Sequence, residues 1–511
     1  MRIWSRFQTD IFHDIVNGKG HTVVQARAGS GKSSTIEEGL RHVPRGCTVG
    51  VFSFGREIAR SMEARLKKAG IKADSKTTHS HGFSACRYKF GPKLAVDNKK
   101  MDAFARALVG GGSEEASDHR RCLAKAASLA KGALAATARQ VDDLVDEFGL
   151  DLGEDVDRAE FAKDVLKMLD WSKNPYLRAQ MRDAKSFDQL WVVSRGEVPS
   201  IDYDDMCWLP VVLNLRVWAY DRLFIDETQD LNACQIKLAL RSIKPNGRIC
   251  AVGDELQAIY WFRGADKDAM RNVISALGAK VLPLSITYRC ARKIVEVANK
   301  YVPDLEAAPD AEEGVVGEAT PEQMVKDAKP GDFILSRTNA PLTDLCLKFI
   351  KAGKRASIQG RDIGTTLAAF VKKSKCKTID SLRDHIDRWA EREITRILKK
   401  DPEGSIALVE DKAATLHVLA EQCATIDELL GDLDKLFSDN KNADESPDLT
   451  KITLSTTHKA KGLERERCYL LADTFLRVRK GEQEPNQEEK NLYYVAVTRA
   501  KRELYFVRGV R

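Results

Sequence analysis

The stretch Gln25-Ala26-Arg27-Ala28-Gly29-Ser30-Gly31-Lys32-Ser33-Ser34 follows the short apolar run Thr22-Val23-Val24. An apolar strand that opens through a glycine-rich turn into a helix binds phosphate with backbone N–H groups and the helix N-terminus. In such a loop Lys32 would reach the β- and γ-phosphates, and the Ser33 hydroxyl would hold Mg²⁺. The strict pattern begins with glycine, and here that position is Ala26. The alternative is an ordinary Gly/Ser turn between a strand and a helix.

Composition indicates a globular protein with several packed cores. The chain has 511 residues, of which 43% are hydrophobic, and this length predicts about three or four domains. The net charge of +7 favours an anionic partner, although a merely soluble surface explains it equally well. The 11 cysteines include no Cys-x-x-Cys pair, which indicates a reducing compartment.

Targeting and membrane signals are not visible in the sequence. Residues 1–16 carry charges and aromatic side chains without an apolar segment, so we expect no signal peptide. No apolar run approaches the ~20 residues that a membrane span needs. We therefore expect a soluble intracellular protein without a membrane partner, cytoplasmic or, if the chain is eukaryotic, nuclear.

Strand and helix patterns alternate along the chain, and two helical stretches interrupt them. We predict buried strands near residues 22–25, 48–53, 222–225, 248–252, 333–336, 452–455 and 503–507. No strand pattern is visible between about residues 88 and 198. This rhythm predicts an α/β fold of two cores, each a parallel sheet flanked by helices and each carrying a helical insert. The predicted boundaries are 1–87 and 201–283 for the first core, 88–200 for its insert, 284–364 and 449–511 for the second core, and 365–448 for its shorter insert.

Adjacent carboxylates, Asp226 and Glu227, end the apolar strand pattern 222–225. If this strand and the strand before the glycine-rich turn share a parallel sheet, both end at the same edge. Asp226 would then bind Mg²⁺, and Glu227 would polarise an attacking water. A solvated acidic pair at the start of a turn is the alternative. The apolar residues before the pair, and Gln229-Asp230 after it, disfavour that alternative.

A second strand-to-loop junction contains Gln257 and the aromatic run Tyr260-Trp261-Phe262. Gln257 can both donate and accept a hydrogen bond, so it could sense a γ-phosphate. Consecutive aromatic rings are costly to leave in water unless something stacks on them, and stacking of a nucleic-acid base is worth about 1–3 kcal/mol. Core packing of at least one of these rings is the alternative.

Together with later motifs, these segments resemble superfamily 1 DNA helicases of the UvrD/Rep/PcrA type. The motifs occur in the family's order along the chain, and the later ones are Thr287-Tyr288-Arg289, Leu335-Ser336-Arg337-Thr338-Asn339, residues 456–464 and residues 494–500. Alanine in the first place of the phosphate loop is also the form that this family uses. Residues 54–59 and 78–80 favour the F-box DNA helicase branch and its phage relatives. Residues 201–206 match a family signature, which we interpret as structural.

The resemblance implies a site for ATP and Mg²⁺ served by two RecA-like cores. It implies that Gln8 reads adenine, Tyr288 stacks on it, and Glu464 contacts the ribose. It further implies that Arg289 and Arg499 approach the γ-phosphate, because a planar guanidinium suits the spread charge of phosphoryl transfer. Without the family, Arg499 would be interpreted as a surface residue. The remaining nucleotide contacts would come from the loop residues Ala28, Gly29, Ser30, Gly31, Lys32, Ser33 and Ser34, although Ser34 stands where an adenine-facing arginine is frequent.

The resemblance also implies a groove for single-stranded DNA, with stacking or imidazole contacts from Phe54, His79, Tyr260, Phe262 and His458. Any one of these residues could be a packed core residue instead. The implied activity is an ATP-dependent 3′-to-5′ DNA helicase and translocase that acts on single strands and single-strand/duplex junctions. Single-strand-binding or recombination proteins are candidate partners, and we expect a monomer.

Three alternatives to this activity stay open. The first is a translocase of the same fold that strips proteins from single-stranded DNA without processive unwinding, which the short second insert motivates. The second is a nucleotide-gated DNA-binding module without catalysis. The third and weakest is an RNA substrate, since none of the residues named above reads a 2′-hydroxyl.

Overall fold

The computed structural model describes residues 3–153, 156–183, 186–192, 198–259, 268–400, 406–438, 448–478 and 484–510. Within it the chain divides into two units. Unit 1 comprises Met1–Ala26 and Gly31–Leu284, and unit 2 comprises Arg27–Ser30 and Ser285–Arg511.

Unit 1 is built on a six-stranded parallel sheet. The strands of unit 1 are β1 (Thr22–Ala26), β2 (Val49–Ser53), β3 (Asp74–Thr77), β4 (Ala95–Val96), β5 (Leu177–Asp183), β6 (Ser186–Val192), β7 (Ser200–Ile201), β8 (Tyr220–Ile225), β9 (Ile243–Gly253) and β10 (Lys280–Leu284). The sheet order is β10-β1-β9-β8-β2-β3, and every neighbouring pair is parallel. The strands predicted near residues 22–25, 48–53, 222–225 and 248–252 are confirmed.

Helices cover both faces of this sheet. The helices of unit 1 are α1 (Arg6–Asn17), α2 (Lys32–Arg41), α3 (Arg56–Lys68), α4 (Thr78–Phe90), α5 (Lys100–Leu108), α6 (Glu114–Ala133), α7 (Ala138–Glu147), α8 (Arg158–Ser172), α9 (Asp205–Val212), α10 (Ala233–Arg241) and α11 (Ala269–Leu277). Val24 packs with α1, α2 and α3, whereas its neighbour Val23 packs with α10 and α11. Successive strand residues point to opposite faces, so β1 is buried on both sides.

The region between residues 88 and 198 is not wholly helical, and the prediction that it lacks strands is wrong. β5 and β6 form an antiparallel hairpin, and β4 pairs with β7 in parallel. Apolar residues alternate with polar ones in β5, but the alternation is short and no glycine marks the turn. The hairpin therefore lacks the strongest local signal for such a turn.

A buried ionic cluster attaches the helices of this region to residues 202–205. Lys131 of α6 pairs with both Asp202 and Asp205, at 2.7 Å from Nζ to Oδ1 of Asp205. Lys100 of α5 also pairs with Asp205, at 2.9 Å from Nζ to Oδ2, and the Ser172 hydroxyl donates to the same carboxylate. Four charged side chains are thus buried together, where each needs its partners because an unpaired buried charge is strongly destabilising.

Unit 2 is built on a seven-stranded parallel sheet. The strands of unit 2 are β11 (Ile286–Thr287), β12 (Glu306–Ala307), β13 (Val315–Ala319), β14 (Phe333–Ser336), β15 (Ala356–Gln359), β16 (Phe437–Ser438), β17 (Ile452–Thr456), β18 (Arg465–Leu471) and β19 (Ala500–Val507), of which β11 and β12 pair apart from the large sheet. The order is β13-β19-β18-β14-β17-β15-β16, with every pair parallel. The strands predicted near residues 333–336, 452–455 and 503–507 are confirmed.

Several helices of unit 2 share the hydrophobic core of this sheet. The helices of unit 2 are α12 (Arg292–Ala298), α13 (Pro321–Asp327), α14 (Ala340–Lys351), α15 (Arg361–Ser374), α16 (Ile379–Lys400), α17 (Ala407–Ala420), α18 (Ile426–Leu436), α19 (Thr457–Ala460) and α20 (Gln487–Val497). Leu367 of α15, Leu382 of α16, Leu416 of α17 and Leu429 of α18 belong to the same buried cluster as Ile334 of β14. The helices between β15 and β16 are therefore continuous with the core of unit 2.

The predicted fold class, α/β with parallel sheets flanked by helices, is confirmed in both units. Within the described ranges, every helix is too short or too polar to cross a membrane.

Replacing Gly82 with alanine should destabilise the packing of α4 on α9. A Cβ at this position would lie 2.0 Å from the backbone oxygen of Met206, and a backbone oxygen cannot move aside as a flexible side chain can. We expect the free energy of unfolding to fall by roughly 1–3 kcal/mol or more. Urea unfolding followed by circular dichroism measures the loss.

Gly431, inside α18, is the matched control, because a Cβ there would meet nothing within 4 Å. Gly431→Ala should raise the free energy of unfolding by about 0.5–1 kcal/mol, since alanine is the better helix former. Equal stability of the Gly82 variant and the unsubstituted protein would contradict the close approach of α4 and α9.

Candidate functional site

The glycine-rich turn leaves the beginning of α2 open to a ligand. Gly31, the residue before α2, has φ +84°, and no side chain caps the helix. The first turn of α2 contains no acidic residue. The N–H groups of that turn and the positive end of the helix dipole are therefore suited to an anion.

Lys32 forms the centre of the charged site in unit 1. Its Nζ lies 2.9 Å from Oε2 of Glu227. Burial acts to lower the pKa of Lys32, but the carboxylates of Glu227, Asp254 and Asp226 outweigh it and hold the pKa above its usual value. Lys32 is therefore an ammonium ion surrounded by carboxylates.

Asp226 and Glu227 lie at the end of β8, next to Lys32. Burial, followed by the neighbouring Glu227 carboxylate, raises the pKa of Asp226 to about 7. The Glu227 N–H donates to Oδ1 of Asp226 at 3.0 Å. Glu227 has φ +53°, a left-handed conformation that costs of order 1–3 kcal/mol for a residue with a side chain. This backbone turn brings the Glu227 carboxylate to Lys32, close to the carboxylate of Asp226.

Gln257 is connected to Glu227 through two residues whose roles the sequence analysis missed. The Gln257 side-chain amide donates to Oδ2 of Asp254 at 2.6 Å, and the Asp254 N–H donates to Oε1 of Gln229 at 2.9 Å. The Gln229 amide in turn donates to Oε2 of Glu227 at 2.6 Å. Gln229 and Asp254 both lie in the strand-end motifs, and that position was the available signal.

Gln8 is buried beside α2. Its Oε1 accepts the Ser5 N–H at 3.1 Å, which completes a capping box at the start of α1. Its Nε2 donates to the Thr35 hydroxyl of α2 at 3.0 Å. The structure thus brings Gln8 to the helix that follows the glycine-rich turn. Ser34, on the first turn of that helix, accepts a hydrogen bond from Arg65 at 3.4 Å.

Arg27–Ser30 makes its own contacts within unit 2. The Ala28 N–H donates to the Tyr494 hydroxyl at 2.8 Å, and the Gly29 carbonyl accepts the Tyr288 N–H at 2.9 Å. A Cβ at Gly29 would lie 2.4 Å from the Thr287 hydroxyl oxygen, so only glycine fits there. The Ser30 hydroxyl is buried and has no hydrogen-bond partner among the described residues.

Arg289 is neutralised by Glu464 in unit 2. Nε of Arg289 lies 2.5 Å from Oε2 of Glu464, and Nη1 donates to the Thr498 carbonyl at 3.2 Å. Lys501, which the sequence analysis did not select, pairs with the other carboxylate oxygen at 3.1 Å. Burial acts to raise the pKa of Glu464, but Arg289 and Lys501 outweigh it and the net shift is downward.

Arg499 is 1% exposed, so its interpretation as a surface residue from composition alone is wrong. Its Nε donates to the Val495 carbonyl at 2.9 Å, and Nη1 donates to the Leu463 carbonyl at 3.1 Å. Nη2 is buried and has no hydrogen-bond partner in the described part of the chain. Burial, followed by repulsion from Arg289, lowers the pKa of Arg499 to about 10.

Four of the predicted catalytic residues thus meet in unit 1, namely Lys32, Asp226, Glu227 and Gln257. Arg289, Glu464 and Arg499 meet in unit 2. Tyr288, beside Arg289, is 43% exposed.

The predicted DNA-contacting residues are distributed over both units. Phe54 follows β2, His79 is the second residue of α4 after β3, and both are half-buried. β2 and β3 are parallel neighbours, so both residues lie at the same edge of the sheet. His458, in α19 of unit 2, is also half-buried. Tyr260 and Phe262 lie outside the described residues.

His79 stacks on Tyr203, with ring centroids 4.1 Å apart and an angle of 25° between the planes. Burial, together with the nearby Arg56 guanidinium, lowers the pKa of His79 to about 4. The imidazole is therefore neutral near pH 7 and offers a ring face rather than a charge.

Two protein-family models match the chain. The model described as "UvrD/REP helicase N-terminal domain" matches residues 8–277, which are more than half of the chain. The model described as "UvrD-like helicase C-terminal domain" matches residues 419–508. All of the site residues described above in unit 1 lie within the first match, and Glu464 and Arg499 of unit 2 lie within the second.

Curated relatives agree with the family models. YjcD of Bacillus subtilis is 24% identical over an alignment of 424 positions that covers 61% of this chain and 56% of YjcD. F-box DNA helicase protein 1 of Schizosaccharomyces pombe is 27% identical over an alignment of 313 positions that covers 56% of this chain and 33% of that protein. ATP-dependent DNA helicase UvrD2 of Mycobacterium tuberculosis is 24% identical over an alignment of 556 positions that covers 94% of this chain and 76% of UvrD2. The chain thus spans about half of YjcD and a third of the F-box protein.

The stacking of His79 on Tyr203 predicts how His79 titrates. Because its pKa is about 4 in the fold and about 6.5 in an unfolded chain, the unfolded state takes up the proton first as the pH falls. His79 therefore contributes stability at pH 7 that is lost progressively as the pH falls from about 6.5 toward 4. We expect the NMR signal of the His79 ring to stay constant down to about pH 5.

Tyr203→Ala should raise the pKa of His79 toward its usual value, because removal of the phenol ring lets water reach the imidazole. His81 is the internal control, since burial also lowers its pKa to about 4 but its ring neighbours are Phe52 and Tyr220. A His79 signal that titrates near pH 6.5 in the unsubstituted protein would contradict the stacked arrangement.

Proposed function

Since the chain belongs to the UvrD/Rep helicase family, we propose that it is an ATP-dependent DNA helicase that moves 3′-to-5′ along single-stranded DNA. The observation that carries the proposal is the convergence of Lys32, Asp226, Glu227 and Gln257 at one edge of the unit 1 sheet, beside the uncapped start of α2. These are the charges and hydrogen-bonding groups that phosphoryl transfer from a nucleoside triphosphate requires.

Phosphate binding is supported by three features of the loop. The first turn of α2 is uncapped, Lys32 is an ammonium ion at its start, and the buried Ser30 hydroxyl has no partner among the described residues. Phosphate oxygens could accept hydrogen bonds from the N–H groups of that turn, from the Lys32 ammonium and from the Ser30 hydroxyl. We propose Ala28 to Ser34 as the phosphate contacts and Gln8 and Tyr288 as the adenine contacts.

Mg²⁺ fits the residues that are present. The ion is usually held by one or two carboxylates and by substrate phosphates and water, so the lack of a group of three ligand side chains among the described residues is consistent with it. Asp226 would supply the carboxylate and Ser33 the hydroxyl. When bound, the ion would neutralise phosphate charge.

The Lys32–Glu227 ion pair indicates how the site changes when a nucleotide binds. Phosphate oxygens would take over Lys32, and Glu227 would lose its cation. The carboxylate would then be available to accept a proton from water, as a general base must. Gln229 and the backbone turn at Glu227 would hold it in place meanwhile. In the proposal Gln257 responds to the γ-phosphate.

Unit 2 is proposed to supply the arginines that stabilise the transferred phosphoryl group. Arg289 is held by Glu464, and Arg499 is held by two carbonyl oxygens with Nη2 left over. Both guanidinium groups are therefore positioned by the protein before any substrate is bound, which is the condition for electrostatic stabilisation without reorganisation. We propose that Glu464 contacts the ribose when ATP is bound, and that it then gives up its ion pair with Arg289.

Single-stranded DNA is proposed to bind across Phe54, His79 and His458, together with Tyr260 and Phe262. The neutral, stacked imidazole of His79 supports this role, because bases stack on ring faces regardless of sequence. We propose the domain boundaries predicted from the sequence, a monomer, and single-strand-binding or recombination proteins as partners.

A second candidate function is a translocase that strips proteins from single-stranded DNA without processive unwinding. It is favoured by the position of α15–α18, whose apolar residues belong to the core of unit 2. A helical region that is committed to the core has less surface to offer a duplex.

Hydrolysis of ATP should depend on single-stranded DNA and on the residues at the strand ends. Lys32→Ala should abolish nucleotide-dependent activity, and Glu227→Gln should lower kcat by about 10²–10⁴-fold, as expected for a lost general base. Arg499→Ala should lower it by about 10³–10⁵-fold. A coupled ATPase assay with and without single-stranded DNA measures all three.

Lys244→Ala is the matched control. This lysine pairs with Asp221 at the opposite end of β8 and β9, so its loss should leave both rates unchanged. If DNA does not stimulate hydrolysis, or if the Lys32 and Glu227 variants remain fully active, the proposed mechanism is wrong.

Strand displacement distinguishes the two candidate functions and tests polarity. With ATP, we expect a duplex with a 3′ single-stranded tail to be separated, and duplexes with a 5′ tail or blunt ends to stay intact. Separation of the 5′-tailed duplex would reverse the proposed polarity. ATP-driven removal of a protein from single-stranded DNA, without separation of any duplex, would favour the stripping translocase instead.

A further inference from the structure

Asp411 of α17 caps the beginning of α14. Its Oδ1 accepts hydrogen bonds from the backbone N–H groups of Asn339 and Ala340, both at 2.8 Å. Its Oδ2 accepts a hydrogen bond from the side-chain amide of Asn339 at 3.0 Å. The side chain of Asn339, the residue before α14, forms no cap of its own. A carboxylate from another segment therefore does the work of the missing cap, at the positive end of the helix dipole.

Residues 336–339, which lead into the capped helix α14, are hydrogen-bonded to two other parts of unit 2. The Ser336 carbonyl accepts a hydrogen bond from the Thr457 hydroxyl at 3.5 Å, and Thr457 precedes the predicted DNA contact His458. Nε of Arg337 pairs with Oε1 of Glu489 in α20 at 2.9 Å. Residues 336–339 therefore join α19, α20 and, through Asp411, α17.

α20 leads directly to the arginine site. The helix ends at Val497, and the next carbonyl, that of Thr498, accepts a hydrogen bond from Arg289. Arg499 follows, and its Nε bonds back to the Val495 carbonyl inside the same helix. A displacement of α20 would therefore move the groups that hold both guanidinium ions.

We propose that Asp411 is a positioning residue that couples DNA binding to ATP hydrolysis by holding residues 336–339 between α19 and α20. The inference rests on the DNA-dependent ATPase proposed above. One path from the predicted DNA contact to the arginines runs through residues 336–339. Three hydrogen bonds that Asn339 and Ala340 donate to one carboxylate hold the end of that segment in one position. When the carboxylate is lost, the segment can move without transmitting its displacement to α20.

The test compares two polar contacts of α14, one at each end of the helix. Asp411 binds the start of α14, next to residues 336–339, whereas Gln422 binds its end by accepting a hydrogen bond from Nζ of Lys351 at 2.7 Å. Asp411→Ala should lower the DNA-stimulated kcat at least about fivefold, because small misplacements of reacting groups cost large factors in rate. Its DNA-independent ATPase rate and its KM for ATP should stay within about twofold of the unsubstituted protein, since both guanidinium ions keep their own partners. Gln422→Ala should leave all three quantities unchanged.

Asp411→Asn tests the hydrogen bonds rather than the charge. The new amide oxygen can accept both backbone N–H groups, and its NH₂ group can donate to Oδ1 of Asn339 if that amide turns over. This Oδ1 is now buried without a hydrogen-bond partner among the described residues. We therefore expect Asp411→Asn to restore most of the DNA stimulation that Asp411→Ala loses. Thermal unfolding of each variant sets the assay temperature, at which all of them must remain folded.

Each other outcome overturns the inference. Full DNA stimulation in Asp411→Ala would overturn it alone and leave the proposed function intact. So would equal losses in Asp411→Ala and Gln422→Ala, or a proportional loss of the DNA-independent rate, because these results indicate a general structural role. Lack of DNA stimulation in the unsubstituted protein would overturn both the inference and the proposed function.

Discussion

The parallel register of the unit 1 sheet is the constraint on which its site depends. Gln25 of β1 is in register with Gly253 of β9, and Ile225 of β8 is in register with Ala251 of β9. Residues that follow the ends of parallel neighbours must emerge at the same edge. The start of α2 with Lys32, the carboxylate pair and the Gln257 turn are therefore brought together by the sheet, although more than 190 residues separate Lys32 from its carboxylate partner.

In each unit, charged side chains of the candidate site form ion pairs with residues of the same unit. Lys32 is neutralised by Glu227, and Arg289 is neutralised by Glu464. An unpaired charge in a poorly solvated site is costly, so these pairs allow a highly charged site to exist before substrate arrives. In the proposed function, a nucleotide would take over partners that these ion pairs already hold, and would not have to supply all of the neutralisation. Arg499 differs, because carbonyl dipoles hold it, and burial beside Arg289 lowers its pKa to about 10.

The two helical regions are attached to their sheets by different physical means. In unit 1 the attachment includes the buried charges of Lys100, Lys131, Asp202 and Asp205, which need defined partners. In unit 2 the helices between β15 and β16 share the apolar core with the strands, and polar contacts such as the hydrogen bonds to Asp411 add to this packing. Apolar packing is non-directional, whereas a carboxylate bonded to two backbone N–H groups is directional. The hydrogen bonds to Asp411 can therefore fix the position of the start of α14 relative to α17, in addition to the attraction that the apolar core supplies.

Local pattern in the sequence determined the strand positions, the α/β class and the motifs of the candidate site, because strand ends and glycine turns depend on neighbouring residues. It missed the β5–β6 hairpin, whose alternation is short and whose turn lacks glycine. It also misjudged Arg499 when composition alone was considered. Only the tertiary structure decided which charges meet. The pairing of Glu464 with Arg289, the support of Glu227 by Gln229, and the cap that Asp411 provides depend on packing between distant segments, and local periodicity carries no information about such contacts.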